Sequence, residues 1–276
     1  MGDIIIVGYG KMGKEIHNAA NSRNVKVRFA VDPVADASPF NFRELGKFLS
    51  TYKYDLGGMT AVDFTEPKSA LDNIKQYCKY GMNFVIGTTG EWRNDLDAAR
   101  KMVEDAGITA VHGSNFSTKV HVFMIMNRVL ASMLNDIPNF DVSIVERHHP
   151  MKKDPSGTGT TMAKDIISAG YFGKTELLTE LAGALAPNQI MMAVSRLAGI
   201  VGEHEIRYTD DARDGSVKND TITISEVAGN RSGFANGALD AVKYIEESGK
   251  AGFVDYADVV MARFKPLIIN ELNRSK

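Results

Sequence analysis

The chain has 276 residues, 44% of them hydrophobic, with 32 lysines and arginines against 34 aspartates and glutamates. That length allows one large or two modest domains, and a formal net charge of −2 supplies no basic field for nucleic acid. Cys78 is the single cysteine, so an internal disulfide is excluded; no Cys/His spacing of a zinc site is present, and no metal is expected. No apolar run approaches the ~20 residues of a membrane span, and the opening run broken by Gly8 is too short for a signal peptide. The expectation is a reduced cytoplasmic protein.

Residues 3–110 alternate short β-branched runs with segments of helical period, which predicts a parallel sheet wrapped by helices. Strands are expected at 4–7, 25–31, 61–64, 84–86 and 108–111. Over 25–31 the apolar residues recur at every second position, whereas Leu96, Ala99 and Val103 mark one stripe of a helix over 91–106. After about residue 118 the pattern changes. A Met-rich apolar helix over 120–134 precedes a strand at 140–145, a polar loop with Pro150 and Pro155, and a helix near 160–168. Strands at 189–195, 204–208 and 221–227 are separated by polar turns, which favours a mixed sheet. A helix at 234–247 and a last strand at 264–269 would return to the first sheet. The expected class is α/β, with one domain made of 1–118 and 237–276 and an inserted α+β domain of 119–236, the two meeting along a cleft.

Gly8-Tyr9-Gly10-Lys11-Met12-Gly13 lies between an apolar strand and a helical segment, the context that a GxGxxG dinucleotide fingerprint requires. The first glycine makes the tight turn, the second lets the backbone approach a pyrophosphate, and the third lets the helix pack closely on the strand. The helix N-terminus then offers N–H groups and a positive dipole end to the phosphates. Asp32 follows Gly13 at about the ~20-residue spacing of the carboxylate that accepts from a ribose 2′-hydroxyl. Asp32 favours NADH; Lys11 in the loop would attract the 2′-phosphate of NADPH, which stays open.

A second polar segment, 146–160, holds His148, His149, Lys152, Lys153 and the run Ser156-Gly157-Thr158 before a helix. Histidine, with an unperturbed pKa of ~6.5, suits proton transfer near neutrality. Lysine supplies a compact charge, and hydroxyls with free N–H groups at a helix start receive an anion. Each residue alone reads as solvated, packed or capping. Together they fit a carboxylate-bearing substrate held beside a proton donor.

These motifs, with Asp63-Phe64-Thr65, Gly87-Thr88-Thr89-Gly90, Asn115-Phe116-Ser117, Gly202-Glu203-His204 and the run from Arg231 to Ala238, resemble the 4-hydroxy-tetrahydrodipicolinate reductases of diaminopimelate and lysine biosynthesis, in family order over essentially the whole chain. The resemblance implies a Rossmann-type dinucleotide-binding domain, a central substrate-binding and oligomerisation domain, a homotetramer, and reduction of a cyclic dicarboxylate by NAD(P)H. It implies His148 as general acid aided by Lys152. His149, Lys153, Ser156, Gly157, Thr158 and Thr89 would surround substrate. Cofactor contacts would come from Gly8, Gly10, Lys11, Met12, Gly13, Asp32, Phe64, Gly87, Thr89, Ser114, Asn115 and Phe116, with the 114–116 turn holding the nicotinamide amide and stacking on its ring. Departures from the family pattern are Pro150-Met151, a loop one residue shorter between Asp154 and Pro155, Lys153 in place of an apolar residue, and Glu66 where some members place a basic residue toward NADPH. Two rivals are another Rossmann-type amino-acid or diamino-acid dehydrogenase and a non-catalytic NAD(H) sensor.

The remaining candidates read more plainly. His121, Met124, Met126 and Met133 are expected on a buried helix, His112 as packing, Cys78 as a small buried hydrophobe, and the charges of 93–104 as a solvated helix face.

Overall fold

The computed structural model describes residues 1–34, 41–53, 56–137, 140–210 and 220–274. In chain order the elements begin with β1 (Ile4–Val7), α1 (Lys11–Ser22), β2 (Val27–Val31), β3 (Asn41–Phe42), α2 (Leu45–Tyr52), β4 (Thr60–Asp63) and α3 (Pro67–Lys79). They continue with β5 (Asn83–Ile86), α4 (Leu96–Asp105), β6 (Thr109–His112), α5 (Thr118–Leu134), β7 (Phe140–His148) and α6 (Gly157–Ser168). The last are β8 (Glu176–Leu178), β9 (Gln189–Arg196), β10 (Gly202–Asp210), β11 (Thr221–Ala228), α7 (Ser232–Ser248), β12 (Gly252–Asp255) and α8 (Tyr256–Asn273). Among the described residues no helix is long and apolar enough to cross a membrane.

The chain divides into two units, Met1–Thr118 with Arg231–Lys276, and Lys119–Asn230. The chain re-enters the first unit at Arg231 rather than at 237, because α7 buries its small face there: a Cβ on Gly237 would collide with the Phe116 carbonyl.

In the first unit seven strands run in the order β12-β6-β5-β4-β1-β2-β3, and every pairing is parallel. Such a sheet is covered on both faces, which is why β1 is an unbroken Ile-Ile-Ile-Val run, all buried. The order reverses between β1 and β4, and ligands of open α/β sheets bind outside the strand ends at that point. The loops after Val7 and after Asp63 leave the sheet there.

Residues 264–269, expected as a strand, are helical. Asp255 caps α8 by accepting from the Ala257 N–H at 2.8 Å, and the capped helix runs through Pro266 at the cost of one backbone hydrogen bond. The true final strand is β12, whose Phe253 is buried in the core of the first unit.

The second unit is a mixed sheet in the order β11-β10-β7-β9-β8, with β7, β10 and β11 antiparallel and β7, β9 and β8 parallel. Its inner face packs Val142, Ile144, Ile206 and Tyr208 against Met162, Ala163 and Ile166 of α6 and against Val120, Phe123 and Met124 of α5. The period of two along β7 therefore carries Glu146 to the buried face after Val142 and Ile144. Met126 and Met133, expected buried, are 51% and 65% exposed. They stand with Val129 at helical spacing on the face of α5 opposite the one that packs.

Candidate active site

In the first unit the glycine loop is built as the spacing requires. Gly8 has φ +87°, and a Cβ there would lie 2.5 Å from the Phe64 carbonyl oxygen. A Cβ on Gly13 would collide with the Gly8 carbonyl, so the start of α1 sits directly on the turn. Gly10 differs: a Cβ there meets nothing within 4 Å. Its neighbourhood is open where α1 begins without a side-chain cap, so donors at the helix start are available to an anion. Lys11 is exposed beside it and Met12 half-buried. Asp32, just past the end of β2, accepts from the Tyr9 N–H at 2.6 Å and the Val34 N–H at 2.8 Å. Its carboxylate is thereby fixed against the loop. These residues fit a dinucleotide.

The neighbouring loops are fastened by a group that sequence reasoning left without a role, Asp63. Its buried carboxylate accepts from the Thr65 N–H and hydroxyl at 3.1 and 2.7 Å, Asn73 at 2.9 Å, Tyr77 at 2.8 Å and the Thr88 hydroxyl at 3.3 Å. Burial raises its pKa, opposed by the bonds from Thr65, Tyr77 and Asn73. The half-buried Phe64 ring lies on Gly87, where a Cβ would overlap it. Thr88 is buried, and Thr89 is exposed beyond it.

The 114–116 turn has Ser114 exposed and Asn115 accepting from the Ser117 N–H at 2.7 Å. Phe116 does not offer a free ring for stacking. It is 2% exposed, lodged between Phe64 and Tyr256 at centroid distances of 5.7 and 4.7 Å. Phe64 is the more open aromatic of that group. His112 stacks on Phe253 at 4.3 Å, and burial draws its pKa down to about 4, so it is a neutral packing residue near pH 7.

In the second unit β7 carries Glu146 and His148 on one face. His148 Nδ1 lies 3.1 Å from the Val201 carbonyl. A carbonyl only accepts, so the proton sits on Nδ1 and the neutral ring presents its lone pair at Nε2. Nε2 is buried and has no hydrogen-bond partner among the described residues, so its lone pair is uncommitted to the protein. Burial lowers the His148 pKa, with the Val201 bond acting in the opposite sense. Gly202, opposite His148, makes the room: a Cβ there would come within 2.9 Å of Cε1.

Ser156 caps α6 by accepting from the Gly159 N–H at 2.8 Å. Its hydroxyl donates to Glu146, and its N–H donates to the same carboxylate at 2.9 and 3.1 Å. Gly157 is exposed at the helix start and Thr158 half-buried. Lys152 and His149 are half-buried and Lys153 exposed.

The shortened loop between them is held by Arg196 on β9. Its Nε donates to the Lys152 carbonyl at 2.8 Å and its Nη2 to the Asp154 carbonyl at 2.8 Å, while Nη1 lies 3.4 Å from Glu146. Glu146, Arg196 and His204 are thus site residues that sequence reasoning assigned no role. Gly202-Glu203-His204 was visible as a motif, whereas nothing local marks Glu146 or Arg196. The ligating atoms of Glu146, His148 and His204 lie within 4.8 Å of one another. Ser156 and Arg196 already occupy the Glu146 oxygens, an arrangement that suits a hydrogen-bonded support more than a metal centre.

Each unit thus carries its own element, a dinucleotide loop in the first and an anion-receptive helix start beside a histidine in the second. Family models of the dihydrodipicolinate reductase N-terminus and C-terminus match residues 3–116 and 119–260. The chain belongs to the dihydrodipicolinate reductase family. A 4-hydroxy-tetrahydrodipicolinate reductase of Christiangramia forsetii is 31% identical over 264 residues, 95% of this chain and 99% of the relative. A second, from Methanothermobacter thermautotrophicus, is 31% identical over 204 residues, 72% of this chain and 71% of the relative. In three dimensions the chain is similar to a dipicolinate-bound dihydrodipicolinate reductase from Paenisporosarcina sp. TG-14, with a TM-score of 0.71 at 23% identity, covering 92% of this chain and 97% of that one. As a member of this family the chain is an NAD(P)H-dependent oxidoreductase with a Rossmann-type domain.

Proposed function

We propose that this reductase converts 4-hydroxy-tetrahydrodipicolinate to tetrahydrodipicolinate in diaminopimelate and lysine biosynthesis, with NADH as its preferred cofactor. The observation that carries the substrate side is the second-unit site, where the buried His148 Nε2 is unpartnered among the described residues and Ser156 caps a helix that starts at the exposed Gly157. The 4-hydroxyl leaves as water, which balances the conversion, and the nicotinamide, when bound, would supply hydride to a carbon of the conjugated imine. Gly8, Gly10 and Gly13 shape the turn for the pyrophosphate, and Asp32 faces the ribose hydroxyls. Asp32 repels a 2′-phosphate, and Glu66 stands where some members place a basic residue; both favour NADH. Lys152 and the N–H groups after Ser156 balance the substrate carboxylates, joined by His149, Lys153 and Thr158. His148, protonated at Nε2, donates the proton that quenches the charge developing on the substrate. Hydride transfer requires donor and acceptor carbons to approach to roughly 3–3.5 Å. A cytoplasmic location is part of the same proposal, in keeping with a reaction that draws on NAD(P)H.

The decisive assay follows NADH and NADPH oxidation separately, with and without product of the preceding synthase. Substrate-dependent oxidation, faster with NADH, is the expected result. Oxidation of neither cofactor would overturn the reaction, and faster oxidation of NADPH would overturn the preference.

We also propose a homotetramer. Met126, Val129 and Met133 form an exposed apolar stripe on α5, with Ile137 beyond its end, the kind of surface that subunit contacts cover. Sedimentation equilibrium of the full chain is expected to return four copies; a monomer at micromolar concentration would remove this proposal.

A further inference from the structure

We infer that His204, backed by Glu226, is a positioning residue for proton transfer at His148 and for carboxylate binding beside Ser156, an inference that rests on the reading above. The strand register creates the arrangement. His204 on β10 pairs with Glu146 on β7 and with Glu226 on β11, so the three side chains form one row across the sheet. His204 is 5% exposed. Its Nε2 lies 3.1 Å from the Ser156 hydroxyl, and its Nδ1 lies 3.7 Å from the Glu226 carboxylate.

The bond directions follow from the donors present. The Ser156 hydroxyl proton is committed to Glu146, so Ser156 Oγ is an acceptor toward His204 and Nε2 must carry a proton. His204 therefore holds the oxygen that starts the helix cradle. Its ring also meets His148 edge to face, with centroids 5.2 Å apart and planes at 69°. The ring fixes the face of the His148 imidazole while the Val201 carbonyl fixes Nδ1. Two contacts thus aim Nε2, and one of them shares a side chain with the carboxylate site.

Charge couples the same groups. His148 is faced by His204 from β10, by Glu146 on its own strand and by Lys152 from the loop. Behind them stand Glu226 on β11 and Arg196 on β9. Positive charge on His204 opposes protonation of His148, and Glu146 favours it.

The test uses His204→Phe and His204→Gln in the full chain. Phenylalanine keeps a ring against His148 and removes both nitrogens. Its expected signature is an NMR titration midpoint of His148 displaced to higher pH, an alkaline limb of kcat/KM displaced the same way, and a KM for the dicarboxylate raised about tenfold. Glutamine can still donate to Ser156 through its amide, so it restores KM while the displaced midpoint remains. If His204→Phe does not fold, the glutamine variant's displaced midpoint carries the test. A folded variant with unchanged His148 midpoint and unchanged KM overturns the inference. A midpoint that moves without the activity limb supports the coupling and instead removes His148 as the acid, which separates failure of this inference from failure of the proposed mechanism.

Discussion

Replacing His148 with glutamine is expected to lower kcat by about 10²–10⁴-fold, the range over which a positioned general acid acts, with little change in NADH affinity. Glutamine can keep a polar contact with the Val201 carbonyl but has no titratable nitrogen to carry a proton to substrate. Wild-type pH dependence provides a second reading of the same residue. Proton donation needs the imidazolium, and burial holds the His148 pKa below its ordinary value of 6.5. In the free enzyme, kcat/KM should therefore fall as pH rises through a midpoint below that value. A bound dicarboxylate brings negative charge to the ring and favours its protonated form, so the limb in kcat lies at higher pH than the limb in kcat/KM. In the glutamine variant both limbs disappear. Single-turnover rates over roughly pH 4–9, about one unit either side of the ordinary histidine range, check this, and turnover within a factor of about ten of wild type would exclude His148 from proton transfer.

The parts of this site visible in the sequence are those whose chemistry is local. The GxGxxG turn, the acid after β2 and the Ser-Gly-Thr helix start each involve residues close in the chain, and the strand-turn-helix context around Gly8 determines what the glycines can do. Glu146 and Arg196 were not legible in this way. Glu146 looks like one more charge in a polar segment until the alternation of β7 and its pairing with β10 place it under Ser156. Arg196 acquires a purpose only when β9 pairs with β7 and brings its guanidinium to the carbonyls of Lys152 and Asp154. The end of the chain shows the same limit. The apolar run at Phe264–Ile269 is a plausible strand by composition, but Leu267 and Ile269 are exposed on a capped helix. β12 is a short run starting at a glycine, stabilised through its pairing with β6 and the burial of Phe253. The packing of Phe116 was not legible for a related reason: its ring is taken up by Phe64 and Tyr256, which lie far from it in the chain.

Alanine at Gly10 and alanine at Gly13 should separate cofactor binding from folding. Gly10 has an ordinary extended backbone, φ −75° and ψ −152°, and its added methyl meets no protein atom within 4 Å. The apoprotein should therefore unfold within about 0.5 kcal/mol of wild type. The same methyl projects where the pyrophosphate approaches the backbone, so NADH affinity should fall roughly tenfold or more. Gly13→Ala meets the Gly8 carbonyl from within the first turn of α1, and neither is the end of a flexible side chain. Helix and turn must separate, at a cost of about 1–3 kcal/mol in the apoprotein, and the displaced loop weakens NADH binding as a consequence. Denaturant unfolding without cofactor, paired with fluorescence titration of NADH, distinguishes the two. If Gly10→Ala bound NADH as wild type does, the open side of Gly10 would not be where the phosphates lie, and the assignment of this loop to the dinucleotide would fail even with the fold intact.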